Sequence, residues 1–336
     1  MARRALLSAL FCTLLLVAAS STRAQVLSNG SLSANESVAL FREVQSTNVN
    51  LLGYIISGNI SGADQFLDPS VQFVVANIAA PLTLPANDTV VANTFALVAP
   101  DPNTNVTFQE QIFFIIDENN TAYVDVFNTG KPNENYFLTS AWQKQNSTWR
   151  MKFTSIAPAF NGTVVTRTLP EIFVTSSNVT TNVTTSANAT LPANFTQPAV
   201  GNATEKLQAA LSNSSISLQN IAEEFFAPQF HLVVPGLYGP IPFNLTVPTF
   251  LTFFTLLRAR NATAPPPTAV AYSQLGREAA ILTVLVPEVP MIGNAYVVLL
   301  WQYLDKSANS TVNAAPGPRW LLVLASVNIA PSSQAL

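Results

Sequence analysis

Residues capable of acid–base or nucleophilic chemistry are sparse in this sequence. His231 is its only histidine and Cys12 its only cysteine, so these two types supply neither a metal cluster nor a nucleophile–base triad. Asp125 alternates with Tyr123 and Phe127 in a strand-like segment, which places the three side chains on one face. If that face is buried, desolvation raises the pKa of Asp125 towards the range of a general base.

Each of these candidates also has a structural interpretation. His231 lies close to Val233 and Val234 on a predicted strand, where a lone histidine is typical of a structural residue. Asp125 can instead be exposed, or hydrogen-bonded without a catalytic role. The sequence therefore predicts no metal and no cofactor, and it favours a non-catalytic protein. Four tryptophans could stack on a ligand, but aromatic residues at repeated strand positions favour a core role: Trp142, Trp149, Trp301 and Trp320.

The elements that must position these residues recur along the chain. Each half ends with a Trp-Gln pair and then a Trp-led apolar strand that stops at Ile-Ala-Pro. Upstream, a proline stands at the same distance before a Val-Val pair in each half. The matching residues are Trp142 and Trp301, Trp149 and Trp320, Pro158 and Pro331, and Pro69 and Pro228. Such self-similarity predicts two copies of one domain.

Both copies have the same predicted order of elements: helix, helix, strand, helix and a four-strand meander. The first helix begins at a capping box formed by Ser33 and Glu36. Its apolar face is interrupted by one polar residue, Asn48. The other predicted elements of the first copy are helices over 62–67 and 85–97, and strands over 71–75, 107–116, 121–127, 136–143 and 148–156. Those of the second copy are helices over 204–211, 216–226 and 248–257, and strands over 228–234, 269–274, 278–286, 295–303 and 319–329.

Several strands of the second copy are apolar at every position rather than alternating, including residues 279–286, 296–301 and 320–325. An antiparallel sheet with one solvated face alternates apolar and polar side chains. The absence of alternation predicts that both faces of this sheet are covered. Helices are expected on one face and a second sheet on the other.

The N-terminus predicts secretion. Arg3 and Arg4 precede an apolar stretch over 5–19, and Ala24 closes a plausible signal-peptidase site. Cleavage would remove Cys12, so the mature chain is expected to be free of disulfides. It would also remove three arginines and no acidic residue. The more acidic mature chain has no basic cluster, and we expect no nucleic-acid partner. No further segment is expected to span a membrane.

Composition changes sharply after residue 173, where Thr, Asn, Ser and Ala dominate. Such a segment buries too little apolar surface to offset the entropy of ordering it. We predict a signal peptide over 1–24, a first domain over 26–173, a glycosylated linker over 174–203 and a second domain over 204–336.

Acceptor triplets for N-glycosylation are dense, which predicts a glycan coat on a chain of only 10% charged residues. They begin at Asn29, Asn35, Asn59, Asn87, Asn105, Asn119, Asn146, Asn161, Asn178, Asn182, Asn188, Asn194, Asn202, Asn213, Asn244, Asn261 and Asn309.

The proline and Val-Val approach to the first strand and the final Trp-led strand resemble the nuclear transport factor 2-like fold, and within it the SnoaL-like group. The resemblance covers roughly residues 33–160 and 203–331. It implies an α+β class with two tandem cone-shaped domains, in which helices pack on a curved, mainly antiparallel sheet. Enzymes of that family place Asp, Glu or His inside the cone, which makes Asp125 and His231 the candidates here. The family often dimerises through its sheets, and a tandem copy could form that contact as a pseudo-dimer within one chain.

Three functions follow from this resemblance. The first is a secreted, non-catalytic glycoprotein that binds an extracellular protein, a glycan or another ligand, or serves in an extracellular matrix. The second is a carrier of a small apolar molecule in the cone. The third is an isomerase, cyclase or dehydratase that uses Asp125 or His231. Converging ionisable groups in the cone would favour the enzyme, an apolar cavity of about 300 Å³ or more the carrier, and a filled interior the matrix protein.

Overall fold

The computed structural model describes residues 25–28, 32–56, 59–75, 82–83, 107–128, 135–159, 197–235, 241–242, 248–261, 266–289, 293–305 and 318–330. The predicted signal peptide, the helix predicted over 85–97 and residues 174–196 of the predicted linker lie outside the described residues. Below, the first half means the described residues up to 159, and the second half those from 197.

The first half combines two helices with seven strands. Its elements are β1 (Gln25–Ser28), α1 (Ala34–Ile56), α2 (Ile60–Asp64), β2 (Leu67–Val75), β3 (Leu82–Thr83), β4 (Thr107–Asp117), β5 (Asn120–Asn128), β6 (Asn135–Gln145) and β7 (Thr148–Pro158). The capping box predicted at the start of α1 is confirmed. Ser33 N donates to Glu36 Oε2 over 2.8 Å, and Glu36 N donates to Ser33 Oγ over 3.4 Å.

The second half combines three helices with six strands. Its elements are α3 (Gln197–Ser212), α4 (Leu218–Phe225), β8 (Phe226–Val233), β9 (Ile241–Pro242), α5 (Pro248–Asn261), β10 (Thr268–Leu275), β11 (Ala279–Val289), β12 (Gly293–Asp305) and β13 (Pro318–Ile329). No helix within the described ranges has both the length and the hydropathy needed to cross a bilayer.

Each half forms one mainly antiparallel sheet, and the two described sheets share a strand order apart from β1, which has no counterpart in the second. The first runs β1-β4-β5-β6-β7-β2-β3 and the second β10-β11-β12-β13-β8-β9. In both, a four-strand meander ends beside a parallel strand from the start of the half. The parallel pairings also match, since Val74 lies opposite Ser155 and Val233 opposite Ser326. The predicted α+β class with two mainly antiparallel sheets is confirmed.

Several element boundaries differ from the sequence prediction, and two elements begin four or more residues earlier than predicted. The helix predicted from Thr204 begins at Gln197, inside the segment predicted as linker. The reason is apolar spacing, because Val200 is buried in the same cluster as Leu207 and Leu211 and extends that helix face upstream. The strand predicted from Val71 begins at Leu67, and its register on β7 shifts between Leu67 and Gln72.

The two sheets pack face to face through a shared apolar core. Phe114 and Val124 of the first half join Ile281, Val298 and Val323 of the second in one buried cluster. This is the covered second face that the non-alternating strands predict. Burial of apolar surface is the main source of stability in a contact of this kind.

Polar side chains tie the two sheets together within this core. Asn328 is 0% exposed, and its Nδ2 donates to Ile156 O over 2.8 Å and to Val74 O and Ser155 Oγ over 3.3 Å. Gln72 Nε2 donates to Tyr272 O over 2.8 Å. Buried polar groups of this kind fix the relative position of packed layers because they are costly to leave unpaired.

A glycine turn of the second half sits against the β4–β5 turn of the first. Gly276 has φ +68°, and a Cβ there would lie 2.6 Å from Asn120 Nδ2 and 2.9 Å from Asp117 Oδ2. Gly276→Ala is therefore expected to cost about 2 kcal/mol of unfolding free energy, from left-handed backbone strain and displacement of that turn. Denaturant unfolding measures this loss.

Gly53→Ala is the matched control for that variant. Gly53 lies within α1, and a Cβ there would meet nothing within 4 Å. We expect this substitution to stabilise the protein by about 0.5–1 kcal/mol, because alanine favours the helix. Equal effects of the two substitutions would contradict the packing described for Gly276.

Candidate functional site

The interior between α1 and the first sheet contains a buried carboxylate. Asp125 is 0% exposed, and Asn48 Nδ2 of α1 donates to its Oδ2 over 3.5 Å. The face of Asp125 lines this interior, because Tyr123 on that face packs with Val44 and Leu51 of α1. The hydrogen bond to Asp125 explains why the polar residue Asn48 interrupts the apolar face of α1.

Aromatic rings and two hydroxyl groups complete this first interior. The ring of Tyr123 stacks with Phe113 and with Trp142, each at a centroid distance of 6.4 Å. On the neighbouring strands, Ser140 Oγ and Thr154 Oγ1 lie 3.3 Å apart. Both residues are buried. The first half thus combines an apolar frame with several buried polar groups.

His231, the second candidate for acid–base chemistry, lies outside both interiors, on the side of β8 that faces the first half. Its ring stands edge-on to Phe114 of the first half, at a centroid distance of 6.0 Å. Its neighbours Phe230 and Leu232 point the other way, into the cluster between the second sheet and its helices. Strand alternation therefore places His231 in the contact between the sheets, where it does not meet Asp125.

Metal binding finds no support in the described part of the chain, which contains no group of three or more His, Cys, Asp or Glu residues able to hold an ion. The structural role predicted for the tryptophans is confirmed for Trp142, Trp149 and Trp301. All three are fully buried in the helix–sheet clusters. Trp320 is partly buried and packs on Tyr303.

The interior of the second half contains an apolar cavity of about 110 Å³, between α3, α5 and the sheet. This volume is smaller than the roughly 300 Å³ expected of a carrier. The walls of the cavity are nonetheless mainly apolar, as a carrier requires. They are formed by Thr204, Leu207, Gln208, Leu211, Phe226, Phe230, Leu232, Phe254, Leu257, Asn261, Pro267, Val284, Val286, Val289, Val297, Leu299, Leu322, Ala325 and Val327. The name apolar pocket is used for this cavity below.

The sheet registers show how the two interiors differ. Gln143 of the first Trp-Gln pair lies opposite Asn120, and Gln302 of the second lies opposite Ala279. Counting from these anchors, the positions of Asp125, Ser140 and Thr154 correspond to those of Val284, Leu299 and Ala325, all of which line the apolar pocket. The polar set of the first half is replaced by an aliphatic set in the second.

The apolar character of the second copy's strands is evident from the sequence, but this correspondence between individual positions is not. The anchor was the Trp-Gln pair, and counting back from it needs the strand pairing. The register of β6 on β7 shifts between Ala141 and Trp142, and that of β12 on β13 shifts between Leu300 and Trp301. On β7, Met151 and Phe153 consequently face opposite sides of the sheet. Sequence spacing alone does not show such a shift.

Three polar residues, Thr204, Gln208 and Asn261, interrupt the apolar wall of the pocket. The neighbouring Arg260 is only 5% exposed, and it donates from Nε to Pro287 O and from Nη1 to Asn261 Oδ1, each over 2.8 Å. Burial lowers the pKa of Arg260, although the charge of Glu288 acts in the opposite direction. These bonds fix the C-terminal end of α5 beside the pocket.

The predicted glycosylation sites fit the surface wherever the structure describes them. Six of these asparagines are exposed, and Asn261 is half-buried. The exposed ones are Asn35, Asn59, Asn119, Asn146, Asn202 and Asn213. By contrast, the buried asparagines Asn48, Asn120 and Asn328 stand outside acceptor triplets. The remaining predicted sites lie outside the described residues.

A double-mutant cycle tests the pairing of Asn48 with Asp125. Asn48→Leu is expected to lower the unfolding free energy by about 1–3 kcal/mol, because it removes a donor from a buried carboxylate. The double variant Asn48→Leu/Asp125→Val copies the aliphatic character of the second half and is expected to recover most of that loss. Denaturant unfolding of Asn48→Leu, Asp125→Val and the double variant gives the coupling, and strictly additive losses would contradict it.

The sequence matches no protein-family model and no curated protein sequence. Solved structures that match include NTF2-like proteins, each over little more than a third of this chain. An NTF2-like protein from Cytophaga hutchinsonii is 10% identical over 37% of this chain and 98% of its own, with a TM-score of 0.27. An NTF-2 like protein of unknown function from Silicibacter pomeroyi is 8% identical over 37% of this chain and 98% of its own, with a TM-score of 0.29. Similarity at this level assigns no role to any residue of this chain.

Proposed function

We propose that this protein is a secreted, N-glycosylated binding protein whose second half holds a small apolar molecule. The observation that carries the proposal is the apolar pocket between α3, α5 and the second sheet. Burial of apolar surface is the dominant favourable contribution to binding in a site of this kind. Secretion is supported by the signal-like N-terminus and by the exposure of six of the seven described acceptor asparagines.

The size of the pocket limits what it can enclose. An engineered cavity of about 150 Å³ in another protein, lined by Leu, Ile and Phe, stays dry and binds benzene or xenon. At about 110 Å³, this pocket suits one small ring or a short alkyl segment. A longer ligand would extend beyond the pocket, and Thr204, Gln208 and Asn261 offer it hydrogen-bonding groups.

Three aliphatic residues of the pocket wall argue against acid–base chemistry in the second half. Val284, Leu299 and Ala325 have no group that titrates or donates a hydrogen bond, so substrate bound there would meet no general base. The second half is therefore proposed as a holder of its ligand rather than as a catalyst.

A SnoaL-like isomerase, cyclase or dehydratase remains the second candidate, located in the first half. The observation that favours it is the complete burial of Asp125 in the interior beside Asn48. Unchanged turnover of a discovered substrate by Asp125→Asn would remove this candidate. A matrix or partner-binding role is supported by the acceptor triplets alone. No residue in the described part of the chain points to that role specifically.

We also infer that the two halves derive from one ancestral unit. The shared strand order and the matching pairings of Val74 with Ser155 and of Val233 with Ser326 support this inference. Loss of polar residues from the second interior would then have separated the two halves in function.

Native mass spectrometry of the protein secreted by a eukaryotic host tests the proposed function. We expect a small apolar molecule to be released when the purified protein is denatured in organic solvent, at close to one molecule per chain. A protein that carries none and also takes up none from a panel of small aromatic and aliphatic compounds would overturn the proposal.

A further inference from the structure

The apolar pocket has an acceptor triplet in its wall. Asn261 lines the pocket, is the last residue of α5 and begins an Asn-x-Thr sequence that Thr263 completes. Its side chain is half-buried. Asn261 therefore belongs to the wall of the pocket and is also partly accessible at the protein surface.

The carboxamide of Asn261 has a fixed orientation. A guanidinium can only donate hydrogen bonds, so the atom that faces Arg260 Nη1 at 2.8 Å must be the oxygen, Oδ1. Arg260 is itself held by its bond to Pro287 O. The nitrogen, Nδ2, consequently lies on the side of the carboxamide away from the guanidinium, and it is the atom that N-glycosylation modifies.

We propose that Asn261 carries an N-linked glycan that stands at the pocket mouth and slows the entry and exit of the apolar ligand. This inference rests on the proposed function of the second half. The donor would be a lipid-pyrophosphate-linked oligosaccharide of the secretory pathway. Its anomeric carbon bonds to Nδ2, which loses a proton, and the lipid pyrophosphate leaves. Oδ1 takes no part, so its bond with Arg260 survives the modification.

A second acceptor triplet in the same region provides a matched control. Asn202 is exposed on α3, and Thr204 of its own triplet lines the pocket. Residues two apart on a helix differ by about 200° in direction. A glycan on Asn202 therefore points away from the pocket, while a glycan on Asn261 stands at it.

The test measures exchange of fluorobenzene by ¹⁹F NMR line shapes on the full secreted protein. The variants are Asn261→Gln, Thr263→Ala and Asn202→Gln, each with glycan occupancy determined by peptide mass spectrometry. Thr263→Ala removes the acceptor triplet but keeps the Asn261 carboxamide, so it separates loss of the glycan from loss of the side chain. A steric barrier that does not touch the bound ligand changes the association and dissociation rate constants by the same factor. The dissociation constant, which is their ratio, therefore stays the same.

We expect Asn261 to be occupied, and Thr263→Ala to speed exchange by about tenfold without changing the dissociation constant. Asn261→Gln, which also alters a residue of the pocket wall, should speed exchange as well. Asn202→Gln should exchange at the wild-type rate. An unmodified Asn261 in secreted protein, or unchanged exchange in Thr263→Ala, would overturn the inference while leaving the pocket intact. Failure of every form, including enzymatically deglycosylated protein, to bind fluorobenzene would instead overturn the proposed function beneath it.

Discussion

Replacing Ala325 with phenylalanine is expected to abolish binding of a benzene-sized probe by this protein. Ala325 lines the apolar pocket, and the added phenyl ring is the size of the molecule that a cavity of about 150 Å³ accepts. A ring attached to the wall would occupy most of the 110 Å³ available. Titration of fluorobenzene, followed by ¹⁹F NMR, should show saturable binding to the wild type and none to Ala325→Phe.

Val49→Phe is the control for that variant. Val49 lies on α1 of the first half and is 55% exposed, so the same ring added there should leave binding unchanged. Thermal unfolding of both variants establishes that they are folded. Wild-type affinity in folded Ala325→Phe would place the binding site elsewhere and remove the proposed role of the pocket.

Asn328→Leu is expected to produce the largest loss of stability of any single polar substitution between the sheets. The leucine fills a similar space but donates nothing to Ile156 O, Val74 O or Ser155 Oγ. Leaving one or two buried acceptors without this donor costs about 3 kcal/mol. For a protein of this size each kcal/mol lowers the melting temperature by roughly 2–4 °C, so calorimetry should show a fall of several degrees.

Asn50→Leu, at an exposed position of α1, is the comparison for Asn328→Leu. It makes the same chemical change without touching the contact between the sheets, and its effect should stay within about 0.5 kcal/mol. If Asn328→Leu were equally mild, the polar bonds between the sheets would contribute nothing measurable, and apolar packing alone would hold them together.

The succession of helices and strands was predictable because hydrophobic periodicity is a local property of the chain. The non-alternating strands after residue 279 even predicted a covered second face, which the cluster around Ile281 and Val298 provides. The start of α3 was missed because composition rich in Asn and Thr suggested a linker, although Val200 continues the apolar face of Leu207.

The contents of the two interiors were less accessible. Asn48 interrupts an apolar helix face, and only its bond to Asp125, a residue distant in sequence, explains why a polar side chain is kept there. The position of His231 beside Phe114 likewise depends on which face of its strand meets the first half. Contacts of this kind depend on tertiary packing, which residue spacing along one strand does not encode.

A crystal structure of the glycosylated protein under xenon pressure tests most directly whether the second half holds a dry apolar site. Xenon binds cavities that are apolar and free of ordered water. We expect a xenon atom in the space lined by Phe230, Leu299 and Leu322 in wild-type crystals, and no xenon peak there in crystals of the Ala325→Phe variant. A pocket that takes up no xenon, or that contains well-ordered water, would contradict the account.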